Sequence, residues 1–435
     1  MNNRVVKNAS WIIGCKIAQS VLNLIIGMIS ARYLGPSNFG LISYAGSVVN
    51  FVIPIMQLGL GKTLVQELIE NPEKEGKVLG TAMLMNVVSG MFCMGGVYIF
   101  LRFANAGETE TIIVGVLYSI SLIFQATEII HTWFQAKLLS KYPSIASLIS
   151  YTVVALYKIW LLVTGKSVRW FAVSFTIDVF LISVILILIY LKMGDQPFSF
   201  SWQLGKKMLS RSKYYIISGM MVTIYAQTDR IMLKHMMNDA ETGYYNAAVV
   251  CVNVTSFVFV AILDSMRPVI LEAKHKDDPA YESYVVQLYS VITYVSLAQC
   301  VAMTVLARPL VLLLYGEAYL PSVVPLTVAV WFVTFSYYGS VRNVWILAEG
   351  KQKYLLFINL SGAIANVGAN LILIPRLGAA GAAAASLITQ FFANVALGFI
   401  MPPIRHNNTL MIKGLDPRPL ARLVRRAVNK VFKRG

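Results

Sequence analysis

The chain has 435 residues, of which 57% are hydrophobic and 13% are charged, and its net charge is +17. This composition excludes an ordinary soluble domain, because a single core could not cover so much apolar surface. Apolar runs long enough to cross a bilayer, which takes about 20 residues, recur along most of the sequence, and they predict an all-α polytopic membrane protein.

Twelve transmembrane helices are predicted from these runs. The first apolar run is too long for the core of a signal peptide, so we expect it to stay as the first span. We predict two six-helix lobes around a central cavity, at residues 1–192 and 214–404, with a cytoplasmic linker at 193–213 and a basic cytoplasmic tail at 405–435. The predicted spans cover residues 10–31, 41–61, 78–101, 111–134, 144–164, 170–191, 214–236, 243–266, 284–306, 323–347, 355–375 and 379–400.

The distribution of Lys and Arg predicts the orientation of the chain. The side of the N-terminus, together with the C-terminal tail, carries 26 of these residues, the opposite side carries 7, and 4 lie within spans. Because positive loops stay in the cytoplasm, we expect both termini there. Charge spread over short loops is typical of contact with lipid headgroups, so no nucleic acid is expected as a partner.

Polar residues lie along one face of each of the first two predicted spans. This face carries Lys16, Asn23 and Ser30 in the first span, and Asn50 and Gln57 in the second. A charged group on such a face must contact protein or water rather than lipid. The faces predict a shared aqueous interior, although helix packing through small residues and amide hydrogen bonds would give the same pattern.

The next predicted spans contain candidates for ion coupling or gating. Glu128 and His131 are three residues apart in the fourth span, so their side chains share a helix face. A histidine in a polar membrane cleft can titrate near neutral pH. Lys158 and Asp178 lie in the fifth and sixth spans. A purely structural pairing of the charged groups is an equally good interpretation.

The seventh predicted span has the strongest pattern. Gln227, Asp229 and Arg230 lie near its centre, where a charged residue costs about 2.5 to 3.5 kcal/mol on insertion scales. Gln227 and Arg230 share a helix face with Thr223 and Lys234, whereas Asp229 points about 100° away from Arg230. We therefore expect Arg230 to face the cavity, and Asp229, a further candidate for coupling or gating, to face a neighbouring helix.

Arg267 and Arg342 are the corresponding candidates in the second predicted lobe. Arg267 follows Asp264 by three residues, so an ion pair within one helix is the simplest interpretation. Arg342 has no acidic residue in its own span, which favours an anionic partner. Acidic and basic residues within the spans are similar in number, and it is their placement on helix faces that favours a cationic cavity.

No motif for bond-breaking chemistry is present in the sequence. It contains neither HExxH nor GxSxG, and its four cysteines lie in apolar runs without a CxxC pair. We therefore predict a protein that is not an enzyme and has no cofactor or metal site.

Three segments resemble those of a transporter family. They read ARYLGPSNFG at Ala31–Gly40, GYYNAA at Gly243–Ala248 and IPRLGAAGAA at Ile374–Ala383. With the twelve predicted spans, they are similar to the bacterial polysaccharide exporters, the Wzx-type O-antigen and capsule repeat-unit flippases of the MATE-like MOP superfamily. The resemblance implies alternating access that moves a polyprenyl-diphosphate-linked oligosaccharide repeat unit from the cytoplasmic to the periplasmic (outer) leaflet of the bacterial inner membrane, for surface polysaccharide synthesis.

The resemblance also implies a binding site, since family members present basic residues to the diphosphate of the lipid carrier. Guanidinium groups bind phosphate through two parallel hydrogen bonds. Coupling to H+ or Na+ is left open, and the polysaccharide polymerase machinery is implied as a partner. The predicted substrate-binding residues are Lys16, Arg32, Arg230 and Arg342, with Arg267, Gln227 and Asn50 as further members.

Two other functions are compatible with parts of the pattern. A multidrug or organic-cation antiporter with the same fold would need acidic residues to dominate the cavity. A membrane glycosyltransferase would need a large external loop, and the predicted outer loops are short. The tail adds a prediction of its own, because apolar and basic residues after Leu420 alternate as in an interfacial helix on anionic lipid, although a solvated tail has the same composition.

Overall fold

The computed structural model describes residues 3–137, 139–194 and 196–418, with side chains for residue 19 and from residue 22 onward except at residues 62 and 225. Within these residues every regular element is helical and no strand occurs, which confirms the all-α prediction. The α-helices are α1 (Asn3–Met56), α2 (Leu60–Glu70), α3 (Glu75–Ala104), α4 (Thr109–Ser119), α5 (Ser121–Phe124), α6 (Glu128–Ala136), α7 (Lys141–Val163), α8 (Val168–Met193), α9 (Trp202–Met236), α10 (Asp239–Asn253), α11 (Ser256–His275), α12 (Tyr281–Tyr315), α13 (Val323–Ala348), α14 (Lys353–Phe391), α15 (Leu397–Ile400) and α16 (Pro402–Gly414).

Among the described residues, eight helical segments are long and apolar enough to cross a membrane, and α10 with α11 counts as a ninth if this bent pair is one span. Both α1 and α14 contain a break, so that each supplies two of the predicted spans. With these breaks, and with α9, the order of the helices agrees with the twelve predicted spans. The chain is a multi-pass helical membrane protein.

The breaks in α1 and α14 both occur at a glycine. Gly35 has φ 71° and Gly378 has φ 54°, which are backbone conformations that glycine adopts with little strain. Pro36 follows the first break and Pro375 precedes the second, and a proline lacks the N–H group that a continuous helix requires. The breaks coincide with the predicted ends of spans.

A bend of 45° between α10 and α11 interrupts the predicted eighth span. Neither a glycine nor a proline marks this site, where Val254 and Thr255 separate the two helices. The Val252 carbonyl beside the bend accepts hydrogen bonds from Gln299 Nε2 at 3.2 Å and from Thr255 Oγ1 at 3.5 Å. A side chain from α12 therefore stabilises a break that the local sequence does not predict.

The described chain packs as two compact units, one that ends at Lys234 and one that begins at His235. Apolar side chains such as Leu79 and Phe134 form part of the core of the first unit, and Tyr289 and Trp345 lie in the core of the second. Nearly all of α9 belongs to the first unit. The predicted lobe boundaries stay a prediction.

Hydrogen bonds from backbone N–H groups hold the segment that precedes α9 on the first unit. Ser199 N donates to the Gly76 carbonyl at 3.2 Å, and Gly76 N donates to Gln196 Oε1 at 3.1 Å. Ser201 N donates to Thr81 Oγ1 at 3.0 Å. The part of the predicted linker from residue 202 onward is helical and continuous with the seventh predicted span.

Candidate functional site

The last third of α9 places its polar residues on different sides of the helix. Asp229 is buried, with 5% of its surface exposed, whereas Gln227 and Arg230 are partly exposed. Arg230 Nη1 lies 3.4 Å from the carbonyl oxygen of Ala226, one turn back along α9. This burial agrees with the expectation that Asp229 faces protein while Arg230 reaches an accessible surface.

An ion pair holds the C-terminal end of α9 against the first unit. Lys234 Nζ lies 2.7 Å from Glu108 Oε2, and 6% of the Lys234 side chain is exposed. Glu108 also accepts hydrogen bonds from Thr111 Oγ1 at 2.8 Å and Asn105 Nδ2 at 3.3 Å. Burial raises the pKa of the Glu108 carboxyl, but the hydrogen bonds and the charge of Lys234 outweigh burial, so this pKa lies below its ordinary value.

A cavity of about 210 Å³ lies inside the first unit. The polar face of the first predicted span contributes Asn23, Gly27 and Ser30 to its wall, while Lys158 of α7 and Asp178 of α8 contribute the charged groups. Residues that the sequence places in three separate spans therefore meet in one space. Aromatic side chains form much of the remaining wall: Phe39, Tyr118, Tyr151, Phe171 and Phe175.

A neighbouring helix orients the Asp178 carboxylate. Ser150 Oγ, on α7, lies 2.6 Å from Asp178 Oδ1 and 2.9 Å from the Asp178 carbonyl oxygen. Lys158 lies two turns further along α7 and faces the same cavity, and within the described part of the chain it forms no direct ion pair with Asp178. A carboxylate, an ammonium group and phenol hydroxyls around one small space are groups that can exchange a proton.

The short helix α6 has a buried apolar face and a polar face that is partly exposed. Trp133 is buried on the first face, and Glu128, His131 and Gln135 lie on the second. His131 Nδ1 lies 3.3 Å from Glu128 Oε1 and 3.2 Å from Gln135 Nε2. The contact expected from the spacing of Glu128 and His131 is therefore present. An accessible polar pair on a membrane helix requires water or protein beside it.

The structure places two further predicted cargo contacts on α1. Arg32 is exposed beside the break at Gly35, and Asn50 is partly buried in the second half of the helix. Lys16 belongs to the first half of α1, and its side chain lies outside the described residues. The predicted interfacial helix of the tail begins after Arg418 and also lies outside them.

The two arginines predicted in the second lobe have different surroundings. Arg267 Nη1 lies 3.5 Å from Asp264 Oδ1, one turn back on α11, and both side chains are exposed. Arg342 is 3% exposed, and its Nη1 donates a hydrogen bond to the Ala393 carbonyl at 2.6 Å. Ala393 belongs to the π-helical turn Phe392–Ala396 that follows α14. The guanidinium group of Arg342 is therefore held inside the second unit.

Sequence reasoning missed several residues of these sites. Tyr151 lies seven residues before Lys158, which places the two side chains on one face of α7, so spacing alone could have identified it. Ser150 and Glu108 have no such signal, because their contacts depend on how distant helices pack. In the parts of the chain that the structure covers, no group of three or more His, Cys, Asp or Glu side chains could hold a metal ion.

A family model described as polysaccharide biosynthesis protein matches residues 5–274, which is more than half of the chain. A search of curated proteins found no match to this chain.

Solved structures of transporters share the fold. The lipid II flippase MurJ in an inward closed conformation matches with a TM-score of 0.73 and 14% identity, over 93% of this chain and 91% of that chain. An inward-facing multidrug resistance MATE family transporter of the MOP superfamily matches with a TM-score of 0.69 and 13% identity, over 91% of this chain and 96% of that chain. The outward-facing conformation of such a transporter matches with a TM-score of 0.60 and 13% identity, over 94% of this chain and 96% of that chain. At this identity, the similarity establishes the fold alone.

Proposed function

The chain belongs to the polysaccharide biosynthesis protein family, and on this premise we propose that it is a flippase for a polyprenyl-diphosphate-linked oligosaccharide. It moves the repeat unit from the cytoplasmic to the periplasmic leaflet of the bacterial inner membrane by alternating access. The lipid tail remains in the bilayer while the sugar head crosses along polar protein surface. Both termini are cytoplasmic, and the translocated unit feeds surface polysaccharide synthesis by the polymerase machinery.

The partial exposure of Arg230 is the observation that best supports this proposal. This arginine lies in the seventh predicted span, six residues before the end of α9, next in sequence to a buried carboxylate, and still remains partly exposed. A guanidinium group in a span must face protein, water or an anion rather than lipid, and the exposed part of Arg230 is accessible to an anionic cargo. A diphosphate fits, because its oxygens accept parallel hydrogen bonds from one guanidinium group. We assign Gln227, one turn earlier on α9 and partly exposed, a hydrogen bond to a sugar or phosphate oxygen.

The other predicted cargo contacts differ in how accessible their side chains are. We assign diphosphate contacts to Arg32 and Arg267, whose side chains are accessible, and a sugar contact to Asn50. Lys16 stays a predicted contact. Arg342 also stays a prediction, because its guanidinium donates to the protein backbone and would have to leave that contact to reach a cargo.

We assign ion coupling to the cavity of the first unit, with Asp178 as the exchanging group. The exposed pair of Glu128 and His131 is the second candidate, and the buried Asp229 is the third. Asp178→Asn should abolish transport driven by the gradient of the coupling ion, whether that ion is H+ or Na+. Ser150→Ala should slow this transport without changing which ion drives it. Equal transport by wild type and Asp178→Asn under both gradients would overturn this assignment.

The cargo assignment is tested with Arg230 variants in a strain that lacks its own copy of this protein. Arg230→Ala should abolish surface polysaccharide, and Arg230→Lys should restore part of it, since lysine keeps the charge but not the paired hydrogen bonds. Arg308→Ala, which removes an exposed arginine outside the proposed site, is the matched control. Normal polysaccharide from Arg230→Ala at wild-type protein levels would refute the assignment.

A multidrug or organic-cation antiporter is the second candidate, because the chain has the fold of the MATE transporter structures. That function uses acidic residues to bind a cation. Export of an organic dye cation that depends on Asp178 or Asp229, and is insensitive to Arg230→Ala, would favour this alternative.

A further inference from the structure

The first three turns of α9, from Trp202 to Lys213, have two distinct faces. The inner face packs on the first unit, where Met208 and Ser212 are fully buried. At Gly205 the fit is close, since a Cβ atom there would lie 2.9 Å from Met85 Sδ. This part of α9 therefore has a fixed position in the first unit.

Two of the basic residues in this stretch are neutralised by the protein. Glu67, which is 1% exposed, lies 2.9 Å from Lys207 Nζ and 2.8 Å from Arg211 Nη1. Glu70 adds a longer contact of 3.7 Å to Arg211. The side of α9 that carries Lys207 and Arg211 is therefore satisfied internally.

The outer face carries Trp202, Lys206, Leu209 and Lys213, at spacings of four, three and four residues that place them on one side of the helix. Trp202 is 72% exposed, and the other three are exposed as well. In the described chain no carboxylate pairs with Lys206 or Lys213. Tyr214, itself 70% exposed, lies with its ring centre 5.2 Å from Lys213 Nζ.

The same helix continues into the seventh predicted span without a break. Ile217, four residues after Lys213, is exposed and apolar, and so is Val222 further along α9. Lysine, tryptophan and tyrosine side chains at the point where a helix becomes apolar are typical of the headgroup layer of a bilayer. This pattern favours a position of the two lysines in the layer of lipid phosphates.

We propose that the outer face of the first turns of α9, formed by Trp202, Lys206, Leu209 and Lys213 with the ring of Tyr214 beside Lys213, binds anionic phospholipid headgroups of the surrounding membrane. The ammonium groups contact the phosphates, and the aromatic rings fix the depth. Because the inner face packs on the first unit and Glu67 pairs with Lys207 and Arg211, this contact connects the first unit to the membrane surface at one place. It is separate from the cargo contact at Arg230, which lies seventeen residues further along α9 than Lys213.

The test compares lipids retained by the full-length protein after extraction from liposomes of equal parts phosphatidylglycerol and phosphatidylcholine. In Lys206→Gln/Lys213→Gln the preference for phosphatidylglycerol should fall by about five-fold for each lysine removed, since each basic residue near the surface contributes about 1 kcal/mol. The loss should be greatest at low salt. Native mass spectrometry counts the retained lipids.

The matched control is Lys74→Gln/Lys276→Gln, which removes two exposed lysines that pair with adjacent glutamates, Glu73 and Glu272. This control should keep the wild-type preference, and thermal unfolding should show that both variants fold. Lys213→Gln alone supplies the measurement if the double variant does not fold. An unchanged preference for phosphatidylglycerol in the α9 variants would overturn the proposal, and so would an equal loss of preference in the control. A loss of transport in the α9 variants with lipid binding intact would overturn it as well.

Discussion

Lys234 and Glu108 lie 126 residues apart in the sequence, and their side chains meet at 2.7 Å. Tyr44 extends this contact, because its hydroxyl donates to Asn105 Oδ1 at 2.7 Å while Asn105 Nδ2 donates to Glu108. Parts of α1, α9 and the loop between α3 and α4 therefore join in one network. Since Lys234 is one turn from Arg230, the network positions the proposed diphosphate contact.

Glu108→Gln should destabilise the protein, because the buried Lys234 ammonium loses its counter-charge. We expect a loss of about 1.5 to 3 kcal/mol in the free energy of unfolding, the range for a hydrogen bond to a charged group. Thermal unfolding in detergent measures it. Glu110→Gln is the control, since its exposed ion pair with Arg169 should contribute about 1 kcal/mol or less. Equal losses in the two variants would argue against a special role for Glu108.

The contribution of Glu108 should also depend on pH. Its pKa in the folded protein lies below the ordinary value, so the folded state binds the proton more weakly than the unfolded chain does. The stabilisation is therefore complete above the ordinary carboxyl pKa and is lost as the pH falls through the lower, folded value. The difference in Tm between wild type and Glu108→Gln should stay constant near neutral pH and shrink in acid. A difference that widens in acid would be inconsistent with the lowered pKa.

Replacing the two basic partners of Glu67 should destabilise the protein more than replacing Glu67 itself. Lys207 and Arg211 are partly exposed and can be hydrated when Glu67 is replaced, whereas Glu67 is fully enclosed. Lys207→Gln/Arg211→Gln should therefore cost about 3 to 5 kcal/mol, the usual result of leaving a buried charge without its partner. Glu67→Gln should cost less. Chemical denaturation in detergent distinguishes the two, and a larger loss for Glu67→Gln would contradict the burial of its carboxylate.

Gly378→Ala should disturb the break in α14 in two ways. An alanine cannot easily adopt φ 54°, and its Cβ would overlap Glu241 Oε2, which accepts a hydrogen bond from Ala379 N. The backbone strain alone should cost about 1 to 3 kcal/mol. Gly316→Ala is the control, since its φ is 85° and nothing lies near its Cβ.

A double-mutant cycle separates the two effects at Gly378. Glu241→Ala should destabilise the wild-type protein, and it should have little further effect in Gly378→Ala, because the carboxylate has already been displaced from Ala379 N. Thermal unfolding of the four proteins gives the coupling. Fully additive losses would show that Glu241 does not respond to the new Cβ.

Local sequence signals predict much of the helix order. A glycine next to a proline marks the break at Gly35, and Pro375 with Gly378 marks the break in α14. The position of Asp229 on a different side of α9 from Arg230 follows from helical periodicity, and the structure places it there. These features depend on residues within a few turns of each other, so no tertiary information is needed.

Other features depend on contacts between distant segments. The bend between α10 and α11 is held by Gln299, which lies more than forty residues away in the sequence, and neither glycine nor proline marks it. Likewise, Lys158 and Asp178 stand out as charged residues in spans, but their shared cavity depends on how α1, α7 and α8 pack. The burial of Arg342 could not be predicted either, because its acceptor lies in the π-helical turn of another segment.

The most direct measurement of the proposed function uses the purified protein in liposomes that carry a polyprenyl-diphosphate-linked oligosaccharide. The fraction of this lipid that an externally added, sugar-cleaving enzyme can reach is followed over time. We expect the wild type and Arg308→Ala to expose the cargo of the inner leaflet, and Arg230→Ala to leave it protected. An accessible fraction no larger than in protein-free liposomes, under both an H+ and a Na+ gradient, would contradict the assignment of the chain as a flippase for this cargo.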